Sequence, residues 1–374
     1  MAKRKTAMVF AIMAMCATFV FFTPLCSNAQ ITVVPIQQRL RQQPCPLYVF
    51  GDSLYDTGMA FYIDKGPVAD SYPYGTTYFK RPAGRFSDGR LVPDFIAQFA
   101  GLPFPEPYFK PNFTDFEKSV NFADAAAGVL VDGRPNTLNL ELQTDYYVEM
   151  VGKMEQQYGE EKTEQLVSRA VHVFNTGAND YVDLWNQNAK PLDPSLVNSL
   201  VNKILGNFTL HLTRMYYQGA RKFAFHGFGP VGCLPGFLEE DGSCSESLNE
   251  LMRLHNERFA PMAKTWARKL PGFKYTIYDF YSSLSARLAN GAQYGFAETQ
   301  RACCGSGPFN GKFSCMDKVN FTLCDDPTKH LWFDAGHPSE RADLQFAQEF
   351  WGGPPNLVNP VNLKTFFELQ ATTD

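Results

Sequence analysis

The chain has 374 residues, 45% of them hydrophobic, and is therefore long enough to bury a large core in one domain or in two. Its net charge is −4, and no cluster of basic residues stands out in its body. Nucleic acid and anionic membrane surfaces bind basic patches, so this composition argues against both as partners.

The amino terminus has the pattern of a secretory signal peptide. Basic residues at positions 3–5 precede an apolar run over residues 7–22, which is followed by Pro24 and by small residues up to Ala29. The run is short for a membrane anchor and ends at a cleavable site. We therefore predict that residues 1–29 are a signal peptide and that the protein enters the secretory pathway.

The rest of the chain is predicted to consist of a polar arm over residues 30–44 and one domain over residues 45–374. Within the domain, short apolar runs alternate with longer segments whose apolar residues recur at helical spacing. The predicted strands cover residues 47–51, 172–175, 222–227 and 274–280. The predicted helices cover residues 91–100, 138–158, 196–218, 247–270 and 339–351.

This alternation predicts an α/β fold in which a mostly parallel sheet is covered by helices on both faces. Ligands bind such sheets beyond the carboxyl ends of the strands, so the residues that follow each strand are candidates for a functional site. No segment after the signal peptide is apolar over a spanning length, and we expect no stable membrane insertion.

A secreted chain is expected to use its cysteines as disulfides. Cys233 and Cys244 flank a short loop that contains proline and glycine, and we predict that they pair. Two more bridges are predicted, in which the neighbours Cys303 and Cys304 bond to different partners; the four cysteines are Cys303, Cys304, Cys315 and Cys324. Cys45 is left without a predicted partner, and neither spacing nor compartment favours a zinc site. The sequons give three candidate glycosylation sites, Asn112, Asn207 and Asn320.

Ser53 lies two residues beyond the end of the first predicted strand, within the block Gly-Asp-Ser-Leu at residues 51–54. A serine at a strand-to-helix junction has its hydroxyl at the open end of the sheet, close to the N–H groups of a helix start, which suits a nucleophile. Serine also caps helices often, so Ser53 alone is equally consistent with a cap. Its interpretation depends on partner residues elsewhere in the chain.

Two other blocks supply such partners. Asn179 follows the second clear strand, where its side chain would donate a hydrogen bond into the same cleft, although an ordinary turn is the plainer interpretation of residues 175–180 alone. Asp334 precedes His337 by three residues, a spacing that lets the carboxylate hold Nδ1–H while Nε2 faces a nucleophile. The alternative for His337 is a loop residue before a helix. The remaining histidines are predicted to be structural: His172, His211, His226, His255 and His330.

Taken together, these blocks resemble the motifs of the GDSL esterase/lipase family of SGNH hydrolases, and its secreted plant members in particular. The resemblance extends from Tyr48 to about Ala342, which is nearly all of the mature chain. Its motifs lie at residues 51–54, 84–90, 121–123, 177–180, 230–235 and 334–337.

The resemblance implies a flavodoxin-like three-layer α/β/α sandwich, with no metal or organic cofactor and with a small-molecule ester or lipid as substrate. By position, Ser53 would be the nucleophile, His337 the general base and then acid, and Asp334 the carboxylate that orients it. Activity is then expected to fall as His337 becomes protonated, which predicts an optimum at neutral to alkaline pH. No lid is evident, which favours an esterase over a true lipase.

The resemblance also implies an oxyanion hole made of the backbone N–H of Ser53, a backbone N–H that we assign to Ala126, and the side chain of Asn179. Ala125 is the next candidate for the second donor. Relatives often have glycine at this donor, so alanine serves only if its backbone adopts the required angles. Two further departures, Met59 and Gly336, stand where relatives usually carry asparagine and a bulkier residue, and neither removes a proton-transfer group.

Two other functions share the same residues. An acyltransferase of specialised metabolites would use the same acyl-enzyme but exclude water in favour of a second alcohol. A non-catalytic protein associated with defence enzymes would need no intact Ser53, Asp334 and His337, which argues against it. The expected location is outside the cell or in the cell wall, with the vacuole or another secretory compartment as alternatives. The sequence predicts neither protein partners nor oligomeric state.

Overall fold

The structure is a computed structural model that describes residues 45–63, 66–317 and 320–369. The predicted signal peptide and the polar arm lie outside the described residues, so their boundaries stay predictions. Among the described residues, no helix is both long enough and apolar enough to cross a lipid bilayer.

A seven-stranded sheet forms the centre of the domain. Its order is β2-β3-β1-β4-β5-β6-β9, and every neighbouring pair is parallel except β6 and β9. A separate antiparallel pair is formed by β7 and β8. The strands are β1 (Leu47–Gly51), β2 (Glu106–Pro107), β3 (Ser119–Asn121), β4 (Val171–Asn175), β5 (Lys222–His226), β6 (Lys274–Tyr278), β7 (Cys304–Gly305), β8 (Thr322–Leu323) and β9 (Val358–Asn359).

Helices cover both faces of the sheet. The face that includes Phe50 packs against α2, α3, α5 and α6, and the opposite face, which includes Val49, packs against α1, α7, α8 and α9. Such two-sided cover is why β1, β4 and β5 are buried along their whole length. The helices are α1 (Val92–Phe99), α2 (Leu140–Tyr158), α3 (Glu160–Arg169), α4 (Ala178–Gln187), α5 (Pro194–Tyr217), α6 (Glu246–Lys269), α7 (Phe280–Ala289), α8 (Glu340–Gly352) and α9 (Leu363–Glu368).

The predicted α/β/α architecture with a mostly parallel sheet is confirmed, and each predicted strand and helix has its counterpart. The differences are at junctions. Residues 175–180, interpreted as a turn, are a turn of two residues followed at once by α4, because Gly177 adopts a φ of 113° that lets the chain reverse from strand into helix. Strand β6 ends at Tyr278 rather than at residue 280, since Asp279 caps α7 by accepting the N–H of Ser282.

The disulfides agree with the predicted scheme. Cys233 bonds to Cys244, and the neighbours Cys303 and Cys304 bond to different partners, Cys324 and Cys315 respectively. Cys45 is free, and its thiol contacts the carbonyl of Arg169 at the amino end of β4. Of the three sequon asparagines, Asn112 and Asn320 are exposed, whereas Asn207 lies within α5, where its amide donates to the Lys203 carbonyl at 2.8 Å.

Candidate active site

Ser53 lies in a tight turn at the carboxyl edge of the sheet, directly after β1. The Asp52 carbonyl accepts the N–H groups of Tyr55 and Asp56 at 3.0 and 2.9 Å, and the Asp52 carboxylate accepts the N–H of Leu54 at 3.1 Å. The N–H of Ser53 has no acceptor among the described residues. This backbone donor beside the Ser53 hydroxyl is therefore free to bind a ligand atom.

A hydrogen-bond relay joins Ser53 to two residues from the other end of the chain. Ser53 Oγ lies 2.8 Å from His337 Nε2, and His337 Nδ1 lies 2.7 Å from Asp334 Oδ1. An ionised carboxylate only accepts, so Nδ1 is the donor, and Nε2 is left to accept the Ser53 hydroxyl proton. The structure thus brings together the three residues that the sequence singled out.

The turn from Asp334 to His337 fixes the carboxylate as well as the imidazole. Asp334 is fully buried, and its Oδ1 also accepts the N–H groups of Gly336 and His337 at 2.9 Å each. Its second oxygen accepts the hydroxyl of Tyr74 at 2.7 Å. Burial alone would raise the pKa of Asp334, but His337 and these donors together hold that pKa below its ordinary value. Asp334 therefore stays ionised at the pH where an imidazole titrates.

The family motif at residues 84–90 supports this turn from the side. Ser87 donates to the carbonyl of Pro338 at 2.9 Å, and the Asp88 carboxylate accepts the N–H of Glu340 at 2.8 Å. The ring of Phe86 packs on the imidazole of His337 with centroids 5.0 Å apart. These contacts fix the start of α8, and with it the position of His337.

Ala126 is distinguished from its two neighbours in the segment where a second backbone donor was expected, because its N–H is unpaired in the part of the chain that the structure describes. The N–H of Ala125 donates to Asp56 Oδ2 at 3.0 Å, and that of Ala127 donates to the Asp124 carbonyl at 3.1 Å. The N–H of Ala126 has no acceptor among the described residues. Ala126 also has a φ of 62°, in the left-handed region that glycine occupies readily and alanine at a cost of order 1–2 kcal/mol. The geometry therefore favours Ala126 over Ala125 as the donor.

Asn179 projects from the first turn of α4 towards the same point. Its Nδ2 donates to the carbonyl of Ala127 at 2.9 Å and lies 3.5 Å from Asp52 Oδ2. The first contact fixes the amide beside the peptide that follows Ala127. The second contact is long and weak, so the N–H that faces the Ser53 turn is available to a stronger acceptor.

Asp52 is a buried carboxyl whose charge is poorly compensated. Burial raises its pKa to about 7, against the opposing effects of the Leu54 N–H, His337 and Arg134. Arg134 itself is paired with Asp183 at 2.7 Å, which limits its effect on Asp52. Asp52 is therefore expected to exchange its proton close to neutral pH.

We expect the Asp52→Asn variant to gain stability relative to the wild type as the pH rises from 5 to 8. The folded-state pKa of about 7 means that the folded protein holds a proton which the unfolded chain, with an ordinary carboxyl pKa near 4, has already released. The stability that this group contributes is present below pH 4 and is lost as the pH rises to 7. Between pH 5 and 7 the unfolding free energy of the wild type should fall by on the order of 2 kcal/mol relative to that of the variant.

Urea unfolding of both proteins at pH 5, 6, 7 and 8 measures this difference. Asp70→Asn is the control, because Asp70 is an exposed carboxylate. If the difference in unfolding free energy between the wild type and Asp52→Asn is the same at every pH, the expectation that Asp52 is neutral below pH 7 is wrong.

The two other departures from the family pattern occupy different places. Met59 is buried in the core, and its N–H donates to Asp56 Oδ1 at 2.6 Å. A methyl group added at Gly336 would meet only Leu234, at 3.9 Å. The glycine thus leaves free space beside His337 that a larger side chain would fill.

Three of the four other buried histidines are hydrogen-bonded to tyrosine hydroxyls, whereas His211 on α5 is buried without such a partner among the described residues. These pairs lie at 2.9–3.0 Å and are His172 with Tyr147, His226 with Tyr55, and His255 with Tyr181. Burial lowers the pKa of each of these imidazoles to about 3, so they are neutral packing groups at physiological pH. Tyr74 is the site residue that sequence reasoning missed, since it lies outside every motif and 260 residues from Asp334.

Similarity to known proteins extends over most of the chain. Residues 47–350 match the family described as GDSL-like lipase/acylhydrolase. A GDSL lipase of Tanacetum cinerariifolium is 39% identical over 89% of this chain and 90% of its own length. GDSL esterase/lipase 2 of Arabidopsis thaliana is also 39% identical, over 86% and 89% of the two chains. A protein named inactive GDSL esterase/lipase-like protein 25, from Arabidopsis thaliana, is 33% identical over 86% and 75%.

The matched region runs from the first residue of β1 into α8. It includes Ser53, Ala126, Asn179, Asp334 and His337, and it agrees with the extent of the resemblance predicted from the motifs. The chain therefore belongs to the GDSL-like lipase/acylhydrolase family.

Proposed function

We propose that this protein is a secreted carboxylic ester hydrolase in which Ser53 is the nucleophile, His337 the general base and Asp334 the carboxylate that orients it. The observation that carries the proposal is the unbroken relay from Ser53 Oγ through His337 to the buried Asp334. A hydroxyl becomes a strong nucleophile when a positioned base removes its proton during attack. Family membership supports the same chemistry, since relatives are named esterase/lipases.

In the first step, Ser53 Oγ attacks the ester carbonyl carbon while His337 Nε2 takes the hydroxyl proton. The N–H groups of Ser53 and Ala126 and the Nδ2–H of Asn179 receive the negative charge that develops on the carbonyl oxygen. Collapse of the tetrahedral intermediate breaks the bond to the alcohol, which leaves with the proton held by His337. Water then attacks the acyl-enzyme with His337 again as base, and the acid is released.

Activity is supported by the site itself rather than by family membership alone. One relative at 33% identity is named inactive, so membership is compatible with loss of turnover. In this chain the nucleophile, base and carboxylate are present and hydrogen-bonded, and Asp334 remains charged because its pKa lies below its ordinary value. Burying a charged carboxylate costs folding free energy, and a protein that has lost catalysis gains nothing in return for that cost.

Secretion is supported by two independent features. The amino-terminal pattern is that of a cleavable signal peptide. Three disulfides link Cys233, Cys303 and Cys304 to their partners, and disulfides persist mainly in oxidising compartments. An extracellular or cell-wall location fits both.

The proposal is tested with p-nitrophenyl esters from acetate to palmitate, given to protein purified from the medium of cells that express the full chain. Release of p-nitrophenol together with free acid is the expected result. Added acceptor alcohol separates hydrolysis from acyl transfer: free acid as the main product supports the hydrolase, and a new ester as the main product would replace it with an acyltransferase. Folded protein that turns over none of these esters would contradict the proposal.

A further inference from the structure

An apolar cavity of about 40 Å³ adjoins the relay, and we call it the site cavity. Three of its lining residues, Leu54, Ala178 and Gly336, are the immediate sequence neighbours of the proposed nucleophile, amide donor and base. The rest of the wall is mainly apolar and includes Phe280 and Trp332. The site cavity is thus placed to hold an apolar part of the substrate next to the reacting carbonyl.

A second and larger cavity, of about 320 Å³, lies on the α5 and α6 side of the sheet. We call it the aromatic cavity, because its wall is dominated by Phe174, Phe208, Phe225, Phe228 and Phe259. Its edge carries the exposed Glu257. Its lining includes neither the relay residues nor their immediate sequence neighbours, so the proposed mechanism does not use it.

Phe228 is the side chain that borders both cavities. On one side its ring stacks on His255, with centroids 4.3 Å apart. On the other side its tip approaches Gly177, where an added methyl group would lie 3.2 Å from Cζ. Both its N–H and its carbonyl are hydrogen-bonded to the side chain of Asn256, at 3.0 and 2.8 Å. These bonds fix the backbone, so a substitution of the ring changes a residue that lines both cavities without removing a main-chain contact.

We propose that Phe228 sets the length of acyl chain that this enzyme accepts, by closing the site cavity off from the aromatic cavity. This inference rests on the proposed ester hydrolysis and assigns its substrate class as short-chain esters. At roughly 10–15 Å³ for each water-sized group, the site cavity holds about three such groups and the aromatic cavity about twenty or more. An acyl chain of about two to four carbons fits the first, and a chain that continued into the second would be much longer.

The acyl group rather than the alcohol belongs in the site cavity because the two leave at different times. The acyl group stays on Ser53 through both steps, whereas the alcohol must depart and water must enter in its place. A small pocket bounded by Phe228 suits the group that remains. The alcohol is then bound on the open side of the Ser53 hydroxyl.

The test measures kcat/KM for p-nitrophenyl esters from acetate to dodecanoate in the wild type, Phe228→Ala and Phe228→Leu. The wild type should decline beyond butanoate. Because each additional buried methylene is worth roughly fourfold, the ratio of octanoate to acetate should rise at least tenfold in Phe228→Ala and by less in Phe228→Leu. Phe228→Leu keeps an apolar side chain and serves as the deciding variant where Phe228→Ala does not fold.

A second substitution shows where the longer chain goes. Ala260 lines the aromatic cavity but not the site cavity. Ala260→Phe, added to Phe228→Ala, should return the octanoate to acetate ratio towards the wild-type value while the rate on acetate is unchanged. The same variants should show no such change across acetate esters of alcohols from ethanol to octanol.

The outcomes separate this inference from the proposed function. Turnover of acetate with an unchanged octanoate to acetate ratio in both Phe228 variants overturns the inference and leaves ester hydrolysis standing. A shift in the alcohol series in place of the acyl series also overturns it. Absence of turnover on every ester, in wild type and variants alike, overturns both.

Discussion

Replacing Ser53 with alanine is expected to reduce ester hydrolysis by roughly a million-fold in kcat, to the level set by the oxyanion hole and binding alone. The substitution removes the one oxygen that lies 2.8 Å from His337 Nε2 and leaves the backbone of the turn intact. Water then has to attack in place of the hydroxyl. Unlike the hydroxyl, it is not covalently bonded to a fixed side chain, so it is less well positioned for attack. KM should change little, because alanine removes no group that binds the ground state.

The measurement has two parts, turnover of p-nitrophenyl acetate and covalent labelling by a fluorophosphonate. Wild type should be labelled on one residue, and Ser53→Ala should be neither labelled nor active. Ser168→Ala is the matched control, since Ser168 is also half-buried but lies in the last turn of α3, at the opposite edge of the sheet. Labelling of Ser53→Ala at another serine, with activity retained, would move the nucleophile elsewhere.

The fold was predictable because its main signals are local and repeated. Strand β1 is apolar throughout, and helix α6 has apolar residues at helical spacing. The sequence of each element therefore predicts its type without reference to the rest of the fold. Strands β2 and β3 have two and three residues, too few for any periodic pattern. They exist because the edge of the sheet next to β1 needs hydrogen-bond partners, which is a tertiary requirement.

The relay was predictable for a different reason: its residues sit in short motifs whose spacing already encodes their contacts. Asp334 and His337 meet because three residues form one turn, whichever fold surrounds them. The contact between Ser53 and His337 follows from the rule that such sites lie at strand ends, although 284 residues separate the two. Neither inference required knowledge of the packing.

Choices between neighbouring groups were not predictable in this way. Sequence alone left Ala125 and Ala126 as alternative donors, and the structure separates them because Asp56, from the turn after β1, accepts the N–H of Ala125. Tyr74 likewise reaches Asp334 only through the fold, which packs its ring against Phe333 at 5.2 Å. Such contacts depend on how loops from distant parts of the chain pack together, and local sequence patterns do not predict that packing.

The Asp334→Asn variant is expected to lose about ten-thousand-fold in kcat at neutral pH, with little change in KM. The amide is neutral and so does not stabilise the imidazolium that forms when His337 takes the Ser53 proton. Its NH₂ group is a donor, so it favours the tautomer of His337 in which Nδ1 accepts and the ring proton is on Nε2. In that tautomer Nε2 has no lone pair to accept the Ser53 hydroxyl proton. Tyr74→Phe, which removes only the 2.7 Å hydrogen bond to the same carboxylate, should cost roughly tenfold.

Steady-state kinetics and thermal unfolding of these variants test whether the carboxylate acts through charge or through packing. Asp343→Asn is the matched control, because Asp343 is a buried carboxyl on α8 whose pKa burial raises well above its ordinary value. Burial favours the neutral acid at this position, so replacement by the neutral amide should leave kcat within about threefold of the wild type. If Asp334→Asn keeps its unfolding temperature and loses activity as expected, the charge is what matters. If it stays within tenfold of the wild type in kcat, Asp334 does not support His337 in this enzyme, and the relay ends at the imidazole.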